Sequence, residues 1–269
     1  ILANYGWKQW GEAAEIDPVA FRHWVNGKNE YRKFQVGEGG NILRQIQFLN
    51  NAIEVDSNFF QAYVDLTNAT LLLHWAGELP LQTAKPAAHA AISRAMELRP
   101  DNLLNQFYLA RIYLAFDLDY ARSRAIFEQI QQVNPGGAWS LYLLASIDLR
   151  EGRVSDALRR LVVVEDASAF MELNERVNFL IMSSILRCSA GDCEGALRSS
   201  DEAMKLVSAA GEAALGALDG RILGLLTLGN VEEAKPWIDE AWRLNGHISP
   251  ERYIYAFAMI GETAKARDI

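Results

Sequence analysis

The sequence of 269 residues contains only two cysteines, and this scarcity limits the roles that thiols can have. Cys188 and Cys193 lie five residues apart, a spacing that matches neither the CxxC pattern of redox motifs nor that of zinc sites. We interpret them as two packed thiols in a reduced compartment. An oxidised pair is the alternative if the chain lies outside the cytoplasm.

An excess of positive charge and a long apolar run are also lacking. The chain carries 26 Lys and Arg against 34 Asp and Glu, a net charge of −8, which disfavours direct binding to a nucleic-acid backbone. No apolar run reaches the roughly 18 residues of a membrane span. We expect a cytoplasmic protein, or a periplasmic one if a membrane anchor precedes this segment, which we interpret as a piece of a longer protein.

Patterns of catalysis and cofactor binding are equally scarce. The four histidines have no ligand spacing, and only His74 and His89 are placed to meet across one hairpin. The glycine-rich segment 37–41 lacks the strand and the lysine of a phosphate-binding loop. No Ser, Cys or Thr has a base at a recognisable offset. We therefore predict a chain that is not an enzyme and that binds no cofactor and no metal.

What the sequence does contain is one short corner repeated four times, first seen as EGRVSDAL. A glycine precedes an alanine by five residues in each copy: Gly152/Ala157, Gly191/Ala196, Gly229/Ala234 and Gly261/Ala266. Glycine suits the left-handed conformation that ends a helix, and the Ser, Asp or Glu that follows suits the start of the next helix. A small alanine lets two antiparallel helices approach closely. Each corner therefore predicts a helical hairpin.

Apolar faces follow these corners and also occur upstream, where no such corner is evident. In each second helix, three residues at a first position and at four and seven residues after it form one face. After the first corner they are Ala157, Leu161 and Val164, and upstream they are Gln45, Leu49 and Ala52; Ala88, Ile92 and Ala95; and Ser123, Phe127 and Ile130. The second helices are then expected to end near Ser57, Pro100, Pro135, Ala169, Ser208 and Gly246. Successive ends differ by 43, 35, 34, 39 and 38 residues, a period near 34 with insertions.

This period, together with first-helix segments such as FYLARIY and LYLLASI, resembles the tetratricopeptide-repeat (TPR) family. The resemblance implies an all-α fold, an α-solenoid of stacked antiparallel hairpins wound into a superhelix, with about six repeats and a truncated last one. We expect an N-terminal segment at 1–17 and a TPR array over 18–269, with repeats at 18–58, 59–101, 102–136, 137–170, 171–209 and 210–246 and a partial repeat at 247–269. The insertion LLHWAGELPLQTAKP in the second repeat is expected to lengthen its first helix or to add a loop.

The first repeat is also similar to the entry repeat of TPR regions in bacterial signalling proteins, where they follow a winged-helix DNA-binding domain or a class III adenylyl cyclase domain. The matching residues are Ala20, Phe21, Trp24, Val25 and Gly27, followed by Ala52, Ile53, Asp56, Phe59, Ala62, Tyr63 and Leu66. This similarity implies a fragment of a bacterial signalling or transcription regulator.

The TPR resemblance further implies that the first helices line a concave groove that binds a peptide or a partner helix. Groove candidates are Gln61, Asn68, Phe107, Tyr108, Arg111, Trp139, Tyr142, Ser146, Arg150, Asn178 and Met182. Aromatic and Arg side chains supply much of the energy at protein interfaces. The alternative is that the aromatics pack between repeats and that the arginines form intramolecular pairs.

Two other functions remain open from the residues alone. The small residues Gly216, Ala217, Gly220 and Gly224 offer a face for self-association, for example as a homodimer. The insertion in the second repeat, with Trp75, offers a lid over a small molecule in a ligand-sensing domain that controls an attached DNA-binding or cyclase domain.

Overall fold

The structure is a computed structural model that describes residues 16–35, 40–210, 215–245 and 254–268. All regular secondary structure in these ranges is helical, which confirms the all-α prediction. The helices are α1 Pro18–Gln35, α2 Ile42–Val55, α3 Phe60–Trp75, α4 Leu81–Leu98, α5 Leu103–Ile112, α6 Tyr120–Val133, α7 Ala138–Arg150, α8 Val154–Ser168, α9 Leu173–Ser189, α10 Cys193–Ala210, α11 Leu215–Thr227, α12 Val231–Asn245, α13 Ile254–Met259 and α14 Thr263–Asp268. None of the described helices is both long enough and apolar enough to span a bilayer.

Consecutive helices pair as hairpins, and neighbouring hairpins stack. Contacts join α1 to α2, α3 to α4, α5 to α6, α9 to α10, α11 to α12 and α13 to α14. Helix α7 packs on α8 through Ala145, Ala157 and Leu161. The second helix of one hairpin also contacts the first helix of the next, as α2 contacts α3 and α10 contacts α11. This arrangement, in which successive hairpins within a unit bury their apolar faces against each other, is that of a repeat protein.

The chain divides into two compact units, Ile1–Ser140 and Leu141–Ile269, with the boundary inside α7. The first unit holds the hairpins α1–α2, α3–α4 and α5–α6, and the second holds α8 to α14. In both units the second helices end within two residues of the ends that the apolar period predicts, because the core-facing side of each helix is set by that period.

Small side chains occupy the predicted point of closest approach within the hairpins. Ala88, Ser123, Ala157, Ala196 and Ala234 are all completely buried. The Ser123 hydroxyl donates a hydrogen bond to the Ala110 carbonyl oxygen at 2.9 Å, so its polar atom is satisfied in the contact.

The first hairpin departs from this rule, since Gln45 stands where the others have Ala or Ser. Gln45 is 1% exposed, and neither atom of its side-chain amide has a hydrogen-bond partner among the described residues. Gly27 on α1 accommodates the close approach of α2, because a Cβ there would lie 3.4 Å from the Gln45 carbonyl oxygen and 3.5 Å from Leu49. A buried amide without partners costs about 1–3 kcal/mol of folding free energy.

The turn of the third hairpin uses a leucine where the turns of the second and of the fourth to seventh hairpins use glycine. Gly152, Gly191, Gly229 and Gly261 have φ between 78° and 85°, as the repeated corner predicts. Leu118, five residues before Ser123, adopts φ 54° after a π-helical turn at Tyr113–Asp117 and is the one non-glycine residue with positive φ among those described. This corner could not be predicted from a glycine in the sequence, because the position is occupied by Leu118.

We expect the change Leu118→Gly to raise the free energy of unfolding of the first unit by about 0.5–1 kcal/mol. A left-handed residue with a side chain costs about 1–2 kcal/mol, of which the added backbone entropy of glycine offsets part. Leu118 is 61% exposed, so little buried area is lost. Urea unfolding followed by circular dichroism measures the change.

The change Gly152→Ala is the matched control for the Leu118 substitution. A Cβ at Gly152 would meet nothing within 4 Å, so the substitution tests backbone strain without a steric clash. It should destabilise the second unit by about 1 kcal/mol. If Leu118→Gly destabilises the chain while Gly152→Ala is neutral, the left-handed strain assigned to these turns is wrong.

The insertion of the second repeat lengthens helices and does not form a long loop. Helix α3 continues to Trp75, and α4 begins at Leu81 after a short turn. The His74 ring nitrogen Nδ1 lies 3.0 Å from the Leu79 carbonyl oxygen, which ties the turn to the end of α3. Of the two outcomes left open by the sequence, the structure has the longer first helix.

Candidate functional site

In the first unit, α3 and α5 bring the predicted residues Asn68 and Arg111 into contact. The Arg111 guanidinium donates a hydrogen bond from Nη1 to Asn68 Oδ1 at 3.0 Å. Both residues are buried, with 9% and 7% of their surface exposed. A buried guanidinium is stable only when its donors are satisfied, so this bond is a structural link between two first helices.

Aromatic rings surround the same guanidinium. Its carbon lies 4.7 Å from the ring centroid of Trp75, 5.3 Å from that of Tyr108 and 5.8 Å from that of Phe107. A cation over an aromatic face is attracted by the ring quadrupole, more strongly where water is excluded. Phe107 and Tyr108 are buried, whereas Trp75 is 52% exposed. Among these residues only Trp75, which was not a groove candidate, offers a large ring to solvent.

Three polar side chains meet in the first unit, two from α4 and one from the π-helical turn after α5. The Asp117 carboxylate lies 2.7 Å from Lys85 Nζ and 3.1 Å from His89 Nε2. Burial raises the pKa of Asp117, but hydrogen bonds from Lys85 and His89 outweigh it, so the pKa falls below its usual value. His74 and His89 thus engage different partners. No group of three His, Cys, Asp or Glu among the described residues is arranged to hold a metal ion.

In the second unit, α7 presents three of the predicted residues on one line, four residues apart. Tyr142 and Ser146 are half-buried and Arg150 is exposed. The Tyr142 ring packs against the cluster formed by Ala145 and its neighbours. Burial raises the pKa of the Tyr142 hydroxyl to about 12, and the positive charge of Arg150 offsets part of this rise.

Helix α9 also keeps accessible side chains in the second unit. Asn178 is exposed and Met182 is half-buried, and Ile185 one turn later is 42% exposed. Leu186 of α9 packs against the cluster of Ala145, Ala157 and Leu161 that Tyr142 of α7 also contacts. We use the name α7–α9 face for the set Tyr142, Ser146, Arg150, Asn178 and Met182.

An ion-paired cluster lies beneath the α7–α9 face and fixes α9. Arg187 forms two parallel hydrogen bonds to the carboxylate of Glu165 on α8, at 2.8 and 2.9 Å, and a third to Asp192 at 2.6 Å. Ser199 of α10 donates to the same Glu165 carboxylate at 2.7 Å. The hydrogen bonds from Arg187 to Glu165 raise the pKa of the guanidinium, so it stays charged although it is buried. The cluster joins three helices.

A buried carboxylate fixes the turn between α7 and α8. Asp148 is 1% exposed and accepts hydrogen bonds from Arg153 at 2.9 and 3.0 Å and from Arg160 at 2.8 Å. Neither cluster was predicted from the sequence. Their members are charged residues at ordinary helical spacings, which are indistinguishable in the sequence from solvated pairs.

Three of the four small residues that suggested a surface for self-association are used inside the second unit, and the fourth, Gly216, lies outside the residues whose burial the structure describes. Ala217, Gly220 and Gly224 are buried. A Cβ at Gly220 would collide with the Ser184 hydroxyl of α9, and one at Gly224 would lie 2.9 Å from a methyl carbon of Leu197 on α10. These residues therefore pack α11 against the preceding hairpin, α9–α10.

The groove candidates thus fall into two groups that differ in their exposed surface. Gln61 and Trp139 in the first unit are half-buried, whereas Asn68, Phe107, Tyr108 and Arg111 have less than a tenth of their surface exposed. All members of the α7–α9 face retain accessible surface.

No family model matches the sequence, and no curated protein matches it. Solved structures do resemble it. The type IV pilus biogenesis factor PilW has a TM-score of 0.60 at 13% identity, with 87% of this chain and 96% of PilW covered. Yeast Tom70 has a TM-score of 0.58 at 15% identity over 83% of this chain, which spans only 43% of the Tom70 chain. A putative kinesin light chain with TPR-like repeats from Podosopora anserina has a TM-score of 0.54 at 16% identity, with 72% and 97% covered. At these identities the likeness is one of fold, and the chain has the fold of TPR-type helical repeats.

Proposed function

We propose that this chain is a non-enzymatic protein–protein interaction module that binds a peptide or a partner helix on the α7–α9 face. The observation that carries the proposal is the line Tyr142, Ser146 and Arg150, which stays accessible above a buried ion-paired layer. Because Asp148 and Arg187 hold the helices rigidly, a partner would meet a surface that loses little entropy on binding. Tyr and Arg are the side chains most often found at the centre of such interfaces.

In the first unit, fewer of the groove candidates are proposed to contact a partner. Gln61 and Trp139 keep exposed surface for a partner. Asn68 and Arg111, together with the buried rings of Phe107 and Tyr108, would act indirectly by holding the exposed Trp75 in place. Trp75 is therefore the residue that we propose as a separate contact point for a partner on the first unit.

The finer part of the proposal is that the module belongs to a cytoplasmic bacterial signalling or transcription regulator and does not itself bind nucleic acid. Its support is the similarity of the first repeat and the net charge of −8. Ala20, Ala52, Phe59 and Ala62 of that similarity form one buried cluster, with Trp24 packed against it. Since packing alone accounts for these residues, they support the repeat type more strongly than the pathway.

Replacing both Tyr142 and Arg150 with alanine is expected to weaken peptide binding at least tenfold, because the change removes the central ring and the central charge of the α7–α9 face. The probes are peptides selected from a random display library against the unmodified chain. Fluorescence anisotropy measures their dissociation constants. Circular dichroism should find unchanged helicity, since Arg150 is exposed and the backbone of α7 is kept.

The matched control replaces Arg159 and Val163, an arginine and an apolar residue exposed on the second helix α8. This double variant should bind the selected peptides as the unmodified chain does. Equal loss of affinity in both double variants, or no loss in either, would remove the α7–α9 face from the proposed function.

A further inference from the structure

The two cysteines of the chain meet in the turn between α9 and α10. Cys188 lies in the last turn of α9, and Cys193 is the first residue of α10. Both are free thiols and both are buried, with 7% and 4% of their surface exposed. Their sulfur atoms are 2.9 Å apart. The left-handed Gly191 between them turns the chain, so that two cysteines whose spacing matches no redox motif come together.

The sulfur separation distinguishes a redox pair from a metal site. A disulfide bond measures about 2.05 Å, so the sulfurs of Cys188 and Cys193 need to approach by less than 1 Å to bond. Two thiolates on a tetrahedral zinc ion, at about 2.3 Å each, stand about 3.8 Å apart. The observed 2.9 Å is too short for a bridging ion. The neighbouring oxygen of Thr227 is 3.6 Å from Cys188 Sγ and supplies no third anionic ligand.

An ion pair closes the same turn in parallel with the thiols. Arg187 and Asp192 directly precede the two cysteines and are joined by a hydrogen bond of 2.6 Å. Arg187 is itself held by Glu165 of α8. The turn is therefore preorganised, and the two sulfurs are kept together without a covalent bond between them.

Neighbouring hairpins carry apolar residues at the two positions that the cysteines occupy. Three residues before and two residues after the turn glycine, α7–α8 has Leu149 and Val154, and α11–α12 has Leu226 and Val231. Packing at this point therefore requires no sulfur. A Leu and Val pair fills the same place, so the thiols add a chemistry that the fold does not need.

We propose that Cys188 and Cys193 form a reversible disulfide that locks the α9–α10 turn, with a peroxide as the oxidant. One thiolate displaces hydroxide from the peroxide, which leaves a sulfenic acid and, after proton uptake, water. The second sulfur then attacks the sulfenic sulfur, the S–S bond forms, and a second water leaves. In total two thiols and one hydrogen peroxide give one disulfide and two waters.

The surroundings of the thiols set the rate of this oxidation. Burial, with a smaller effect from the hydrogen bond to Cys188, raises the pKa of the Cys193 thiol to about 11. Because the thiolate is the reactive species, the pair is slower to oxidise than an exposed cysteine. A small oxidant reaches buried sulfur more readily than a bulky disulfide, and the second step is fast because the partner sulfur is already in place.

The folded chain is treated with hydrogen peroxide, quenched with catalase, unfolded, alkylated and digested with trypsin. The peptide 188–198 contains both cysteines and no methionine, so its mass reports on the pair alone. We expect it to lose two hydrogen atoms and to take up no alkyl group. Prior reduction with a phosphine should restore both alkylation sites, and the oxidised chain should unfold at a higher temperature than the reduced chain.

Two variants make the result decisive. In Cys193→Ser the sulfenic acid has no partner, so the peptide should gain oxygen. Cys188→Leu/Cys193→Val, which copies the neighbouring hairpins, should fold and should lose the peroxide-dependent rise in melting temperature. Double alkylation of the peroxide-treated wild-type chain, oxygen uptake without hydrogen loss, or disulfide-linked dimers on a non-reducing gel would each overturn the proposal.

Discussion

Replacing Arg187 with alanine is expected to lower the free energy of unfolding of the second unit by about 3–5 kcal/mol. The reason is the uncompensated charge that remains. Glu165 and Asp192 lose the guanidinium that compensates their negative charge, and Ser199 alone cannot replace its three hydrogen bonds. Urea denaturation followed by circular dichroism gives the free energy, and hydrogen exchange of α9 amides locates the loss.

The control for this substitution is Arg243→Ala, which breaks an ion pair with Glu240 on the surface of the same unit. Both side chains of that pair are exposed, so solvent already screens the attraction, and the stability should not change measurably. The milder change Arg187→Lys keeps the charge but loses the two parallel bonds to Glu165 and should fall between the two. Equal effects of Arg187→Ala and Arg243→Ala would refute a buried ion-paired layer beneath the α7–α9 face.

The second large effect is expected to be stabilising. Changing Gln45 to leucine should raise the free energy of unfolding of the first unit by about 1–3 kcal/mol, because the change removes a buried amide without partners and leaves the position filled by an apolar side chain. Gln45 lies between α1 and α2, beside Gly27, where the other hairpins bury Ala or Ser. Thermal and urea unfolding measure the gain.

Two variants test the cause of this gain. Gln47→Leu changes an exposed glutamine two residues away on α2 and should leave the stability nearly unchanged. Gln45→Glu places a charge in the same buried position and should destabilise the unit. If Gln45→Leu instead lowers the stability, the amide has a partner, such as an ordered water, that contributes more than the burial of leucine.

The hairpins were predictable because their signals are local. A glycine and a small residue five positions later set the turn and the closest approach, and the apolar positions at offsets of four and seven set the buried face of each second helix. Leu118 escaped prediction because its left-handed backbone is imposed by the packing of α5 and α6 on either side and not by its own preference.

The candidate surface was less predictable than the fold. Tyr142, Ser146 and Arg150 were assigned by helical spacing, and the structure leaves each of them accessible. Phe107 and Arg111 were assigned by the same rule and are buried. Spacing places a residue on a face of its helix, but the neighbouring hairpin decides whether that face is covered.

The amino-acid sequence by itself determined the type of element and its repetition: helices, their turns and a period near 34 residues, all of which depend on residues within one or two turns of each other. Tertiary structure decided which polar groups are buried and what they contact. Arg111 meets Asn68 across 43 residues of chain, and Arg187 meets Glu165 across 22. Such contacts form only when separate hairpins stack, because burial removes the competing water, and no local spacing encodes which distant partner will be there.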